Sequence, residues 1–297
     1  MAEPGWAARE YDRIAERFAA WAAAEDDIRA ALVIGSRARL DHPADEWADL
    51  DVLVLTDGPS RYVQDPGWVA AIGDPWITFL EPTAAGHGSE RRVLFAGGAD
   101  VDFAFFAIDE IETLLTADPR AAQAALGRGF RVLLDKDGVA ARLMDATPTV
   151  AAEAATLPDA AAFEQVASDF WYHAVWTAKH LRRGELWWAK LACDVHMKEL
   201  LRRLLEWDAA AAGRDPWFRG RFFEEWADPV SLEGLRTSFA RYDEDEIWAA
   251  LSTTMDLFGE VSRRTCAALG TSFAPAVEEH ARALVEQLRS TRPARSG

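Results

Sequence analysis

The sequence predicts an α+β protein, with a mixed α/β first half and an all-helical second half, on three observations. Short apolar runs closed by turn residues recur from Ala31 to Leu134. From Phe163 onward, apolar residues return every three or four positions over long stretches. Between these regions Pro148 and Pro158 bracket an Ala/Thr-rich stretch that reads as a linker. The expected domains are therefore 1–147, a mixed β-sheet flanked by helices, and 148–297, a helical bundle. Two domains suit a chain of 297 residues at roughly 150 residues each.

Trp6, Tyr11, Ile14, Phe18 and Trp21 recur at helical spacing, which predicts a first helix over 6–24. Ala31-Leu32-Val33-Ile34 is a short strand ending at the turn Gly35-Ser36. Leu50 to Thr56 is a second strand, closed by Asp57-Gly58-Pro59, and Trp76 to Leu80 a third. Arg92 to Phe95 and Val101 to Ala107 flank Gly97-Gly98 and read as a hairpin. Phe130 to Leu134 ends the strand series at Asp135-Lys136-Asp137-Gly138. Helices are then expected over 163–181, 185–207, 243–269 and 274–288, with a loop through Gly213 and Pro216 and a frayed polar tail over 289–297.

Composition narrows the function classes. The net charge is 32 − 49 = −17, against a protein whose main task is gripping a nucleic-acid backbone, which calls for a basic footprint. Two distant cysteines, Cys193 and Cys266, make a disulfide framework or structural zinc site improbable. No signal peptide is read at the N-terminus, and no apolar run has the ~18 residues of a membrane span. The expectation is a cytoplasmic protein, a monomer or weak dimer. With only four lysines among 32 basic residues, each Lys is unusual.

The segment that carries chemistry is Ile34-Gly35-Ser36-Arg37, a loop, then Ala48-Asp49-Leu50-Asp51-Val52. Gly35 has no Cβ and lets backbone approach a bulky ligand. Ser36 offers a hydroxyl to phosphate oxygens, and Arg37 a planar cationic fork. Asp49 and Asp51 are two apart, so a strand turns both carboxylates to one face while Leu50 and Val52 face the core. Paired carboxylates suit Mg²⁺, usually bound by one or two such groups plus substrate phosphates. A later strand repeats the alternation. Asp100 and Asp102 share a face opposite Val101, Phe103 and Phe105, and either could complete a metal site or accept a proton from an attacking hydroxyl.

The order strand, Gly-Ser, loop, Asp-x-Asp strand, later Asp strand resembles the nucleotidyltransferase fold of the DNA polymerase β superfamily. Gly35-Ser36-Arg37, Asp45 to Asp51, Glu81-Pro82, Val101-Asp102 and Leu134 to Asp137 are similar to the aminoglycoside 6-adenylyltransferase (streptomycin adenylyltransferase) family. In the second half, Phe170-Trp171, Ala178-Lys179, Arg182 to Glu185, Ala189-Lys190 and Lys198 to Leu201 resemble its helical domain, so the resemblance spans about residues 10–270. It implies transfer of AMP from ATP to a hydroxyl of a cationic aminoglycoside such as streptomycin. Ser36 and Arg37 would hold the triphosphate, Asp49 and Asp51 would bind Mg²⁺, and Asp102 would be the third carboxylate, as metal ligand, general base or both. The sequence departs from the family pattern at Asp100, where a basic residue is usual, and at Phe103-Ala104, where Leu-His is usual. The first departure leaves Asp100 and Asp102 both open as the third carboxylate.

The helical half is expected to complete the substrate cleft. Lys179 and Lys190 are candidates for phosphate contact, and Trp176 or Trp187 for stacking on adenine or sugar. Glu81, Asp100, Asp169, Asp194 and Glu199 are candidates for binding a polycationic acceptor. His173, His180 and His196 show no metal-ligand spacing and read as structural. Two other readings share the chain: nucleotidyl transfer to a different small-molecule or protein hydroxyl, and a non-catalytic, antitoxin-like module.

Overall fold

The computed structural model describes residues 6–39, 42–83, 88–117, 123, 126–147 and 157–291. The chain divides into two compact units, Met1–Ala152 and Glu153–Gly297. Most of the expected linker, 148–156, lies outside the described residues, as does the tail from 292.

The first unit is a six-stranded mixed sheet. Its strands are β1 (Ile28–Ile34), β2 (Leu50–Thr56), β3 (Pro75–Pro82), β4 (Ser89–Phe95), β5 (Asp100–Ala107) and β6 (Arg131–Asp135), in the order β3-β4-β5-β2-β1-β6. Among the described strands only β2 and β5 pair in parallel; the other neighbours are antiparallel. Helix α1 (Trp6–Ala24) lays Tyr11, Ile14 and Phe18 on one face, against Leu50, Val52, Val54, Phe103 and Phe105. The other face carries Ala30, Leu32, Leu53 and Leu55 beneath Ile111, Leu126 and Leu143. Covered on both sides, β1 is apolar at every position from Ala30 to Ile34 rather than alternating.

Among the described residues three helices of this unit lie outside the sequence expectation: α2 (Pro59–Gln64), α3 (Ile108–Ala117) and α4 (Val139–Ala146). Each is short, and isolated helices of this length gain little from propensity; packing on the sheet holds them. Lys136 closes the C-terminal end of α1, donating to the carbonyls of Glu25 (2.6 Å) and Ala22 (3.4 Å).

The second unit is helical: α5 (Ala160–Arg182), α6 (Leu186–Leu191), a π-helical turn (Ala192–His196), α7 (Met197–Ala211), α8 (Phe223–Trp226), α9 (Pro229–Arg236), α10 (Glu244–Leu269) and α11 (Pro275–Ser290). Its core is built on Phe170, Trp171, Met197, Leu201, Leu251 and Phe258, with Phe170 and Phe258 stacked at 3.6 Å between ring centroids. Gly184 ends the α5 segment at φ +73°, which separates Lys179 from Lys190. The expected helix over 185–207 is interrupted by the π turn, and the expected loop beyond Gly213 contains α8 and α9. Asp228 caps α9 by accepting from the amides of Val230 (3.0 Å) and Ser231 (3.4 Å). No helix among the described residues is long and apolar enough to cross a membrane.

Candidate active site

The two acidic strands and the Gly-Ser turn meet at one end of the sheet. In the β2–β5 ladder Asp51 lies opposite Asp102, and across β1 Ile34 lies opposite Asp51. One carboxylate oxygen from each of Asp49, Asp51 and Asp102 falls within 4.8 Å of the others. The alternation expected from sequence holds, since Leu50, Val52, Val101, Phe103 and Phe105 point into the core opposite these carboxylates.

Gly35 opens the turn at φ +67°, and a Cβ built there would sit 2.3 Å from Oδ2 of Asp51. Only glycine fits both constraints. Next to it the side chain of Ser36 is buried, and its Oγ has no hydrogen-bond partner among the described residues. A buried hydroxyl left without a partner is costly.

Arg37 is held by backbone and ring contacts. Its Nε donates to the carbonyl of Asp49 (2.9 Å), its Nη2 to that of Ala48 (2.5 Å), and the guanidinium lies over the Tyr11 ring at 3.6 Å. It fixes the backbone that presents Asp49. Tyr11 in turn donates to Oδ1 of Asp100 (2.6 Å), and burial together with that bond pushes the phenol up to about 12. Asp100 is thus drawn to α1, while Asp102 joins Asp49 and Asp51.

Arg92 gives no signal in the sequence beyond its place in β4, yet it organises the other flank. Its guanidinium meets Glu81 (2.5 Å), Glu90 (2.9 Å) and Asp102 (3.3 Å). Strand register brings these groups together, since Arg92 pairs with Asp102 and Glu81 with Glu90. Burial raises the Asp102 carboxyl to about 6. Arg92 opposes that rise, while Glu90, Asp49 and Asp100 add to it. A carboxylate of this kind is mostly ionised at neutral pH and more basic than an ordinary one, which suits proton abstraction.

The residues present fit a divalent ion beside a phosphate. The donor set is all oxygen, as Mg²⁺ prefers; the glycine leaves a cradle that a Cβ would fill; and the Ser36 hydroxyl lacks a partner.

The profile of the streptomycin adenylyltransferase family matches residues 8–288. The chain belongs to that family. It is therefore a nucleotidyltransferase enzyme. Aminoglycoside 6-adenylyltransferase of Bacillus subtilis (strain 168) is 23% identical over 268 residues, covering 86% of this chain and 89% of the relative. The protein of the same name from Campylobacter jejuni is 23% identical over 245 residues, covering 79% and 81%. A crystal structure of an aminoglycoside 6-adenyltransferase from Bacillus subtilis aligns over 95% of this chain and 99% of that one, at 18% identity and a TM-score of 0.45.

In the helical unit of this family member the expected residues have varied settings. Lys190 donates to the Asp194 carboxylate and the Ala240 carbonyl, so both Lys190 and Asp194 have partners within the unit. Lys179 is exposed. Trp187 is exposed near Tyr242, and half-buried Trp176 packs on His180 at 3.7 Å between centroids. Glu199 pairs with Arg202. Asp169 meets two of the histidines that read as structural, His173 and His196. His196 is 23 residues from His173, too far for any local spacing signal.

Proposed function

We propose that this chain transfers AMP from ATP to a hydroxyl of an aminoglycoside, streptomycin being the acceptor, with release of pyrophosphate. The observation that carries this reading is the Asp49–Asp51–Asp102 cluster beside the unpartnered Ser36 hydroxyl. Family membership and the names of the relatives support it. Asp49 and Asp51, with Asp102 completing the oxygen set, would hold Mg²⁺. When bound, the ion neutralises charge on the phosphates and lowers the barrier to displacement at phosphorus.

The protein's own groups do the rest. Ser36 donates to a phosphate oxygen and Gly35 lets the triphosphate approach. Arg37 keeps the Asp49 backbone in place. The acceptor oxygen attacks the α-phosphorus, and a new O–P bond forms as the bond to the bridging α–β oxygen breaks. Pyrophosphate takes that electron pair, and Asp102 takes the hydroxyl proton. Glu81 and Glu90 add negative charge that favours a polycationic acceptor. ATP as donor makes the cytoplasm the site of action.

The test is pyrophosphate release from ATP and Mg²⁺ with streptomycin, spectinomycin and kanamycin supplied separately. Streptomycin-dependent release, lost in Asp49→Asn and Asp51→Asn with folding intact, is the expected result. Turnover with another acceptor only would move the proposal to that acceptor. Turnover with none would remove it.

A further inference from the structure

We propose a second metal site, wholly within the helical unit, in which Asp169, His173 and His196 bind a first-row transition ion such as Zn²⁺. One ligand atom from each residue lies within 4.8 Å of the others. Oδ1 of Asp169 is 2.6 Å from Nδ1 of His173 and 3.0 Å from Nε2 of His196, and the two imidazole rings are 4.0 Å apart between centroids. All three side chains keep solvent access, so an ion has an entry path.

The donor chemistry separates this cluster from the aspartate cluster of the first unit. Two imidazole nitrogens and one carboxylate oxygen match the three-protein-ligand sets that bind Zn²⁺ with a water in the fourth position. Mg²⁺ prefers oxygen alone and keeps its waters. The imidazole pair distinguishes this cluster, because the aspartate cluster offers oxygen alone.

The backbone that builds the site is unusual. Asp169 and His173 are one helical turn apart on α5, so their side chains share a face. His196 reaches them from the end of the π turn Ala192–His196. Such a turn inserts one residue into the helical path and rotates the downstream residues by about 100°. π turns are poor helix geometry and are found mostly at functional positions. The same turn carries Asp194, bonded to Lys190. An ion on His196 and Asp169 would therefore tie α5 to this turn and fix the Lys190–Asp194 pair.

The test uses untagged, metal-stripped full-length protein, titrated with Zn²⁺ by calorimetry and with Co²⁺ by visible absorption. The expected result is one Zn²⁺ equivalent per chain, a tetrahedral Co²⁺ band and a rise in Tm on loading. Both the equivalent and the band should disappear in His196→Ala and His173→Ala and persist in Asp49→Asn. His196 is the most exposed of the three, so its variant decides the matter if His173→Ala fails to fold. Equal Zn²⁺ uptake by wild type and His196→Ala, no uptake by wild type at micromolar ion, or loss of the equivalent in Asp49→Asn would each overturn the proposal.

Discussion

A Cβ on Gly35 would lie 2.3 Å from Oδ2 of Asp51, in a backbone already at φ +67°. The turn and the Asp-x-Asp strand are thus interlocked at one atom. Gly35→Ala should cost roughly 1–2 kcal/mol from the left-handed backbone alone. It should also displace the Asp51 carboxylate, and a shift of ~1 Å in such a group lowers turnover by about 100-fold. Urea unfolding and steady-state kinetics measure the two effects; near-normal kcat would show that Asp51 tolerates displacement.

Ser36→Ala separates ligand binding from folding. Its hydroxyl is buried and unpartnered, so removal should leave stability within about 0.5 kcal/mol or raise it. Removing a donor to phosphate should raise the KM for ATP by roughly tenfold, a loss of about 1.4 kcal/mol. Thermal melts and ATP titrations check both halves.

Asp102 gives the site a pH signature. Its carboxyl is raised to about 6, above its ordinary value of 3.8, so the folded protein holds this proton more tightly than the unfolded chain. Stability from this group is full below about pH 4 and is lost as pH rises through 6, a difference of about 3 kcal/mol. In metal-free protein, Asp102→Asn should therefore gain Tm relative to wild type at pH 8 but not at pH 4. A constant difference across that range would contradict the shift.

Arg92 faces three carboxylates, and Arg92→Leu should raise Asp102 further. The acid limb of the kcat/KM profile should move to higher pH, with the largest loss of activity on the acid side. Arg92→Lys, which keeps the charge, should restore much of the wild-type profile. An unmoved limb in Arg92→Leu would detach Asp102 from proton transfer.

In the helical unit Arg264 grips the two oxygens of buried Asp208 at 2.7 Å each and donates to Ser231 Oγ at 2.9 Å. Arg264→Leu leaves a buried carboxylate with Arg214 at 3.7 Å as the nearest remaining cation among the described residues. The expected loss is about 3 kcal/mol, at the low end for breaking a buried pair. Chemical denaturation reads it directly.

By itself the sequence determined what depends on neighbours along the chain. The Gly35-Ser36 turn, the shared face of Asp49 and Asp51, and the long helices of the second half follow from residue type and period, which act over a few positions. The short helices α2, α3, α4, α8 and α9 escaped because packing, not propensity, holds them. Only the tertiary structure decided which residues from distant strands and helices meet. Asp100 and Asp102 share one alternation, yet strand register sets Asp102 opposite Asp51 while a hydrogen bond from Tyr11 draws Asp100 to α1. Arg92 enters from β4 by the same kind of register. His196 reaches Asp169 only because a π turn rotates the helix, a change of phase that no local hydrophobic period encodes.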